Sequence, residues 1–308
     1  MTPKERIIRA IRQPSYIGSM LLTLFSRWIK DDEWYIKTRY RLYVGKKLRL
    51  DAPETFNEKL QWLKLYDRKP IYTTMVDKCE AKKYVADIIG EEHIIPTIAV
   101  YDRVEDIDFD ALPDQFVMKC THDCGGLVIC KDKGKLDKKT AVGKLRKCLN
   151  SKYYLRTREW PYMNVKPRII VEQYMEDESG YELKDYKFFC FNGVVKCLKV
   201  DYNRYIDHHA NYYDRYMNLL PFGEVVCTPD FNHVIEKPKN LEKMIELAEK
   251  LSKGMPFLRV DFYNISGKIY FGELTFFPAS GMGKFTSEEW DYTLGSWIKL
   301  PKGEYKIN

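Results

Sequence analysis

The stretch that decides the fold is Phe257-Leu-Arg-Val-Asp-Phe-Tyr263, followed by Lys268-Ile-Tyr-Phe-Gly-Glu-Leu-Thr275. Apolar residues recur through both runs, and Asn264-Ile-Ser-Gly267 between them is rich in turn residues, so we predict a β-hairpin. Side chains alternate between the two faces of a strand, which lets Asp261 and Glu273 share one face of the hairpin. Carboxylate oxygens are the ligands that Mg²⁺ prefers. The hairpin therefore predicts a magnesium site.

Two further side chains would belong to the same site. Alternation puts Arg259 on the face of Asp261, where its guanidinium would balance charge and contact a transferring phosphoryl group. Thr275 shares the face of Glu273 and offers the metal another oxygen. The alternative is an ordinary surface ion pair across a hairpin. Apolar neighbours such as Val260 make that alternative the weaker one.

Composition limits the classes of protein that remain. The chain has 308 residues, of which 45% are hydrophobic, enough for one large domain or for two lobes with separate cores. The net charge of +7 suits a nucleotide, a phospholipid surface or an acidic glycan, and no signature of nucleic-acid binding accompanies it. No signal peptide and no apolar run long enough to span a membrane is visible, so we expect a cytoplasmic protein.

Cys120, Cys124 and Cys130 raise the question of a zinc site. They lack a Cys-x-x-Cys unit, and they lie in a strand–turn–strand pattern in which alternate residues face opposite ways. We therefore predict buried, reduced thiols rather than a metal site.

Residues 1–70 are predicted to form a helical N-terminal arm. Ile17 to Phe25 supply apolar positions along it. The basic residues of this segment are Arg6, Arg9, Arg12, Arg27 and Lys30. Such an arm could lie on the anionic inner face of a membrane. The alternative, which the pattern favours, is a packed helical arm whose basic face is in solvent.

The rest of the chain is predicted to form two lobes, residues 71–175 and 176–308. Their boundary is placed at the acidic segment Glu176-Asp-Glu-Ser-Gly180. The second lobe would begin with a hairpin around Asn192-Gly193, because Asn-Gly between two apolar runs is a strong hairpin signal.

Helices are expected beside these hairpins. Residues 74–89 and Asn240 to Lys253 have helical patterns, and Thr286 with Glu289 would form a capping box for a final helix. Hairpins interleaved with helices predict an α+β fold in which helices cover antiparallel sheets.

Lys119 lies in the short apolar strand Phe116 to Cys120. A buried lysine is costly unless an anion meets it, and a phosphate would serve. The turn that follows contains His122, Gly125 and Gly126, and small residues let backbone N–H groups approach phosphates closely. Gly-Gly is also common in ordinary hairpins, so the turn alone is a weak signal.

Glu172, Gln173 and Tyr174 end an apolar strand, and an acidic loop follows. This strand end could hold an adenine against its backbone. Glu172 would accept from the exocyclic amine, and Asp177 or Glu178 would accept from ribose hydroxyls. The alternative is a strand that leads into a solvated acidic linker.

Two more lysines are candidates for contact with an anion. Lys187 alternates with apolar residues in the run Asp185-Tyr-Lys-Phe-Phe-Cys-Phe191. Lys199 lies on the strand predicted to pair with it. A lysine in such a strand needs a negative partner, which a phosphate would supply.

These segments, in this order, resemble the ATP-grasp superfamily, whose members grip ATP between two α+β lobes. Lys119 matches the lysine of the first lobe, His122 to Gly126 the glycine-rich loop, and Val171-Glu-Gln-Tyr174 the hinge that binds adenine. Arg259-Val-Asp261 matches Arg-x-Asp, and Glu273-Leu-Thr275 matches Glu-x-Asn except at its last position.

A closer resemblance is to the TupA-like, teichuronopeptide-biosynthesis branch, which is found among polysaccharide-biosynthesis proteins. It extends roughly from Tyr40 to the C-terminus. The phrases that carry it are Thr55-Phe-Asn-Glu-Lys-Leu-Gln-Trp62, Val76-Asp-Lys78, Lys119-Cys-Thr-His-Asp123, Lys184-Asp-Tyr-Lys-Phe-Phe189 and Gly272-Glu-Leu-Thr275. Lys78 is similar to a lysine that many ATP-grasp proteins use near the α-phosphate.

The resemblance implies an ATP-dependent carboxylate–amine ligase that uses Mg²⁺. ATP would phosphorylate a carboxylate, and an amine would attack the acyl phosphate to form an amide. Arg259 would contact the transferring group, while Lys119 and Lys187 would position the phosphates. The implied substrate is a uronic acid or amino acid on a bacterial surface glycan, as in capsule or cell-envelope biosynthesis.

Other functions remain open from the sequence. A phosphotransferase could use the same ATP site to modify a sugar hydroxyl, but it would need a catalytic base that no residue obviously supplies. A glycosyltransferase would want a metal-binding Asp-x-Asp string, and Asp106-Ile-Asp108 is one, in what we predict to be a loop. A non-catalytic partner protein fits least, because the carboxylates and lysines of the site are all present.

Overall fold

The computed structural model describes residues 14–123, 125–204 and 206–302. In this part of the chain, helices cover two antiparallel sheets. The α-helices are α1 (Pro14–Leu24), α2 (Asp32–Val44), α3 (Phe56–Tyr66), α4 (Ile71–Val76), α5 (Glu80–Ile89), α6 (Lys138–Leu149), α7 (Tyr153–Thr157), α8 (Leu241–Leu251) and α9 (Glu288–Trp297). Short 3₁₀ turns span Glu91–His93, Val104–Asp106, Lys133–Lys135, Trp160–Tyr162 and Pro278–Gly281.

The first sheet contains four strands in the order β1-β4-β2-β3, all antiparallel. They are β1 (Thr97–Tyr101), β2 (Phe116–Cys120), β3 (Val128–Cys130) and β4 (Ile169–Gln173). Phe116, Met118 and Val171 pack with Leu145 of α6 in a core of their own. This sheet carries the predicted strand lysine on β2 and the predicted hinge at the end of β4.

The second sheet contains five antiparallel strands in the order β7-β6-β5-β8-β9. They are β5 (Asp185–Phe191), β6 (Val194–Tyr202), β7 (His209–Asp214), β8 (Phe257–Ile265) and β9 (Lys268–Thr275). Both predicted hairpins are present. Asn192 and Gly193 link β5 to β6 with φ angles of 52° and 80°, which is the backbone that a tight Asn-Gly turn requires.

Register in the last hairpin places the predicted site residues opposite each other. Asp261 pairs with Glu273, and Arg259 pairs with Thr275. Beyond Asp261 the register shifts, because Gly272 is an extra residue on β9. A Cβ at Gly272 would lie 3.2 Å from the Asp261 carbonyl oxygen. The bulge therefore needs glycine for close approach of the two backbones.

The second sheet shares its core with a helix from the N-terminal third of the chain. Phe56, at the start of α3, meets Phe257 edge to face with ring centroids 5.0 Å apart, and it also contacts Phe189 and Phe191. Such aromatic pairs add to the burial of apolar area. The sheets, hairpins and helices confirm the predicted α+β class. The domain boundaries after residues 70 and 175 stay predictions.

Two local predictions were wrong. The helix expected over residues 74–89 is divided between α4 and α5, because the Asp77 carboxylate accepts a hydrogen bond from the Cys79 backbone and restarts the helix. The Thr286 capping box is absent, since the N-cap of α9 is Ser287 and lacks a side-chain cap. The Thr286 hydroxyl instead accepts from the Gly223 backbone N–H.

The predictions for the N-terminal arm and for the cysteines fall only partly within the described residues. Arg6, Arg9 and Arg12 lie outside the described residues, and so does Cys124. Cys120 and Cys130 are buried free thiols, as predicted. Within the described ranges, no helix combines the length and the apolarity that crossing a bilayer would require.

A matched pair of glycine substitutions tests the packing of α9. Gly295→Ala would place a Cβ 2.6 Å from the Thr55 carbonyl carbon, and such overpacking should cost about 1–3 kcal/mol. Gly143→Ala in α6 meets nothing within 4 Å, so the better helix former should add about 0.5–1 kcal/mol. Urea unfolding of both variants measures the change in the free energy of unfolding, which should be a loss for Gly295→Ala and a gain for Gly143→Ala. Equal changes in the two variants would refute the proposed contact.

Candidate active site

The predicted residues of the last hairpin form one hydrogen-bonded group. Arg259 holds Asp261 in a two-pronged contact, with Nε 2.7 Å from Oδ1 and Nη2 2.7 Å from Oδ2. Arg259 Nη2 also lies 3.5 Å from Glu273 Oε1. Thr275 Oγ1 donates to the same Glu273 oxygen at 2.6 Å. The structure thus brings all four side chains together.

The two carboxylates of this group differ in accessibility. The Asp261 side chain is only 5% exposed, whereas that of Glu273 is 41% exposed. Burial raises the pKa of Asp261 above its usual value despite the neighbouring Arg259. Burial also opposes the charge on Glu273, but Lys78 and Arg259 outweigh it and lower the pKa of Glu273 to about 2. Glu273 is therefore a charged carboxylate that a ligand can reach.

Lys187 lies behind Asp261 on the neighbouring strand. Its Nζ is 3.2 Å from Asp261 Oδ2 and 3.4 Å from Asp201 Oδ2, and it also contacts Asp185. Burial opposes the ammonium charge, but Asp185 and Asp261 raise the pKa of Lys187 above its usual value. Lys187 is thus a buried cation whose neighbours are carboxylates of the sheet.

Lys199 is placed opposite Lys187 in the β5–β6 register. Its Nζ lies 2.9 Å from Glu224 Oε2, and the Tyr212 hydroxyl donates to the other Glu224 oxygen at 2.6 Å. Burial works against the charge on Glu224, but Lys199 lowers the pKa of Glu224 below its ordinary value. The predicted anion contact of Lys199 is met in this structure by Glu224.

On the first sheet, Glu172 joins two lysines. Its Oε2 lies 2.8 Å from Lys119 Nζ, and its Oε1 lies 2.6 Å from Lys82 Nζ. Burial opposes the charge on the carboxylate, but Lys119 and Lys82 lower the pKa of Glu172. Both oxygens of the residue predicted to accept from an adenine amine are therefore engaged by cations.

The predicted phosphate loop is anchored from two sides. Lys78 Nζ donates to the Asp123 carbonyl oxygen at 2.7 Å, and the Gly125 N–H donates to Asp123 Oδ1 at 3.1 Å. His122 is buried, and burial lowers the pKa of its imidazole. The imidazole is therefore neutral near neutral pH.

Gly126 is required by its surroundings. Its φ is +65°, and a Cβ would lie 2.7 Å from the sulfurs of both Cys120 and Cys148. Any larger residue would push the loop away from β2. The glycines of this loop thus have a packing role, whatever the loop binds.

The predicted hinge residues divide into two groups. Gln173 and Tyr174 follow Glu172 along a cavity between the two sheets. Asp177, by contrast, is buried in its own turn, where it accepts from the backbone N–H groups of Ser179 and Lys184. The carboxylate predicted to contact a ribose is therefore already satisfied by local hydrogen bonds.

Two adjoining cavities lie between the sheets. The larger, of about 110 Å³, has a mainly apolar lining that includes Ile95, Val117, Leu127, Ile129, Tyr174, Met175, Leu183 and Tyr263. The smaller, of about 20 Å³, has a mixed lining in which Lys78, Lys82 and Glu273 lie beside apolar residues such as Met75 and Phe271. Lys119 and Glu172 border both cavities. The change from an apolar to a charged lining is the order that a nucleotide base and its phosphates need, but both cavities are below the roughly 300–1,000 Å³ of a ligand pocket, so the cleft must widen to take a nucleotide.

Several charged residues of the site were not predicted. Asp185 and Asp201 lie two residues from Lys187 and Lys199 along their strands, so strand alternation could have found them. Lys82 lies on α5 and lacks such a signal. Arg204, which lines the larger cavity and lies 3.0 Å from Asp185, belongs to an irregular segment.

Asp201 also belongs to a group with metal-ligand types. One oxygen of Asp201, a ring nitrogen of His208 and the Cys227 sulfur all lie within 4.8 Å of one another. Lys187, at 3.4 Å, and Lys199 and Arg204, each at 3.9 Å, already offset the Asp201 charge. Further positive charge is therefore unfavourable there, and the group makes no case for a metal.

Two antiparallel sheets that helices cover, with lysines in the cleft between them, are the architecture of an ATP-grasp protein. The sequence matches the family described as TupA-like ATPgrasp over residues 58–299. The chain belongs to this TupA-like ATP-grasp family, which confirms the resemblance found in the sequence.

Solved structures similar to this chain include D-alanine–D-alanine ligases. The enzyme from Bacillus anthracis, complexed with ATP, is 18% identical over 66% of this chain and 53% of its own, with a TM-score of 0.37. The enzyme from Helicobacter pylori is 14% identical over 79% and 69% of the two chains, with a TM-score of 0.41.

The ATP-grasp ligase PsnB, complexed with a precursor variant, Mg and ADP, is 9% identical over 67% and 52% of the two chains, with a TM-score of 0.37. This chain thus spans about half the length of the Bacillus anthracis enzyme and of PsnB. These likenesses are too distant to carry an argument about activity. No curated protein matches the chain.

Substitution of Glu172 separates its structural role from contact with a ligand. Glu172→Gln leaves Lys119 and Lys82 without their counter-charge, so we expect a loss of about 3 kcal/mol in the free energy of unfolding. Because the folded pKa lies below the ordinary value of 4.5, this stabilisation is present above pH 4.5 and is lost as the pH falls through the folded value.

Urea unfolding at neutral pH and at acidic pH measures the difference. Gln173→Ala, an exposed change at the end of the same strand, is the control and should leave stability nearly unchanged. A Glu172→Gln protein as stable as the wild type would contradict the structural role and leave only a ligand contact.

Proposed function

We propose that this protein is an ATP-dependent carboxylate–amine ligase that acts through an acyl phosphate. The observation that carries the proposal is the pair of cavities between the sheets, which share Lys119 and Glu172. One cavity is mainly apolar, and the other has a mixed lining to which three lysines, Glu172 and Glu273 contribute the charged groups. This order from apolar to charged matches a nucleotide with its base in the first cavity and its phosphates in the second.

In the proposed complex, the adenine lies in the larger cavity beside Tyr174 and Tyr263. The phosphates extend toward Lys119 and Lys78, whose ammonium groups supply fixed positive charge. The loop that contains Gly125 would cover them with backbone N–H groups. His122 and Gly126 support this loop by packing.

The hairpin supplies a donor set that fits magnesium. Asp261, Glu273 and Thr275 offer hard oxygens on two adjacent strands, and Glu273 is open to the cleft. Bound Mg²⁺ would neutralise charge on the phosphates during transfer. Arg259 already lies between the two carboxylates, so a phosphoryl group would give its guanidinium a further anionic partner. Lys187 is proposed to hold Asp261 from beneath.

The reaction consists of two transfers. A substrate carboxylate oxygen attacks the γ-phosphorus of ATP, the bond to the β-phosphate oxygen breaks, and ADP leaves. An amine then attacks the acyl carbon, inorganic phosphate leaves, and the amine loses a proton to give the amide. Lys119 and Arg259 would orient and stabilise the phosphoryl group in the first transfer.

The proposed acceptor is a uronic acid or an amino acid used in bacterial surface polysaccharide biosynthesis. This choice rests on the TupA-like family, whose resemblance implies that setting. The protein would then act on the cytoplasmic side of the cell envelope. The chemistry of the cleft supports an anionic acceptor, because Lys78, Lys82 and Arg259 lie near Glu273.

The two alternative enzyme classes find less support. A phosphotransferase needs a base for a sugar hydroxyl, but Asp261, the carboxylate next to Glu273, is held by Arg259 and Lys187. A glycosyltransferase site at Asp106-Ile-Asp108 is disfavoured, because Asp106 is exposed and paired with Arg103.

Product analysis separates these classes. The protein is incubated with Mg-ATP, candidate acidic sugars and amino acids, and the nucleotide and acceptor products are identified. ADP, phosphate and a new amide support the ligase, whereas ADP with a phosphorylated sugar supports the phosphotransferase. If Mg-ATP fails to bind or to raise the melting temperature, every nucleotide-dependent proposal is wrong.

The metal assignment is tested with Glu273→Gln. Loss of this carboxylate should lower kcat by at least about 100-fold, because charge stabilisation of the transferring group is lost. The melting temperature should change little, since the side chain is 41% exposed. Glu236→Gln, at an exposed carboxylate outside the cleft, is the control. Undiminished ATP turnover by Glu273→Gln would remove the metal site.

A further inference from the structure

One face of α1 and the turn after it expose an apolar stripe. Four members lie at i, i+3, i+4 and i+7, which places them on one side of α1, and two more lie in the turn that follows Leu24. They are Ile17, Met20, Leu21, Leu24, Phe25 and Trp28, and they are between 45% and 66% exposed. We call these six residues the apolar stripe. So many large apolar side chains on one exposed face mark an interaction surface.

The helix is held so that this stripe faces outward. Leu22, on the opposite side of α1, is buried in a core with Tyr35 and Ile36 of α2. Gly18 approaches α2 closely, because a Cβ there would lie 2.9 Å from Leu42. The packed side of α1 is therefore already used, while among the described residues the apolar stripe is left exposed.

Positive charge is concentrated in the same part of the sequence. Residues 1–30 contain six lysines or arginines and one acidic residue, so they hold +5 of the chain's net +7. Arg27 and Lys30 are exposed at the end of the stripe, and the Arg27 guanidinium lies 4.1 Å from the Trp28 ring centroid. Cations thus lie directly beside the exposed apolar side chains.

We propose that the apolar stripe docks the protein on an anionic lipid surface. Apolar side chains of a surface helix enter the boundary between headgroups and acyl chains, while neighbouring lysines and arginines meet anionic headgroups. A second copy of this chain would bring the same positive charge to the contact and would be repelled. Docking does not depend on the chemistry of the cleft.

The test measures binding of the full chain to lipid vesicles by flotation. We expect binding to phosphatidylcholine vesicles that contain about 30% phosphatidylglycerol, weaker binding to pure phosphatidylcholine, and loss of binding as salt screens the charges. Leu21→Ser/Leu24→Ser/Trp28→Ser should reduce binding at least about tenfold, because it removes much of the apolar contact. Arg27→Gln/Lys30→Gln should weaken binding to the anionic vesicles only.

The matched control changes three apolar residues elsewhere that are more exposed than the stripe. Ile206→Ser/Val226→Ser/Val234→Ser alters side chains that are 77% to 91% exposed and should leave vesicle binding unchanged. Unchanged melting temperatures show that each variant is folded. The proposal is overturned if the wild type binds neither kind of vesicle, or if the stripe variant binds as well as the wild type. Light scattering that shows the stripe variant converting a dimer to a monomer, without vesicle binding, would assign the surface to self-association instead.

Discussion

The register of four adjacent strands is the constraint on which the site depends. Lys199 pairs with Lys187, Lys187 with Asp261, and Asp261 with Glu273, so one charged row crosses β6, β5, β8 and β9. Residues opposite each other in neighbouring strands share a face of the sheet. A slip of one residue in any pairing would turn that strand's charge into the apolar core. The core that fixes the register, including Phe56 against Phe257, therefore also fixes the chemistry.

Charge compensation explains why this row is tolerated in a buried sheet. The two adjacent lysines are like charges, and Asp185 and Asp201 lie two residues from them on the same strands. Lys187 reaches both aspartates and Asp261 as well, so each buried charge has partners of opposite sign. At the end of the row, Glu273 is partly exposed, so it is the member of the row that we propose contacts a ligand. The charged side chains of this row thus range from buried lysines at one end to a partly exposed carboxylate at the other.

Strand alternation explains how much of the site could be predicted. Period-two patterns and the Asn-Gly turn give the hairpins, and with them Arg259, Asp261, Glu273 and Lys187, since a strand fixes which residues share a face. Residues that helices and loops bring to the site, such as Lys82, have no such alternation in the sequence, so they could not be predicted. A similar limit applies to α1. The sequence shows that this segment is helical, but it does not show which face of the helix is buried. Which face of α1 points outward depends on its packing against α2, and the sequence suggested a basic face rather than an apolar one.

The opposite charges of the two walls explain why the cleft should select a metal-bound nucleotide over a simple anion. One wall of the cleft carries Lys119 on β2 and Lys78 and Lys82 from the α4–α5 segment, against the single carboxylate of Glu172. The facing wall ends in Glu273, whose carboxylate is charged at neutral pH because its pKa is lowered to about 2 by Lys78 and Arg259, which outweigh burial. An anion without a metal would be attracted by the lysines of the first wall and repelled by the carboxylate of the second. A polyphosphate that carries a divalent cation offers negative charge to the lysines and positive charge to the carboxylate, so it complements both walls at once.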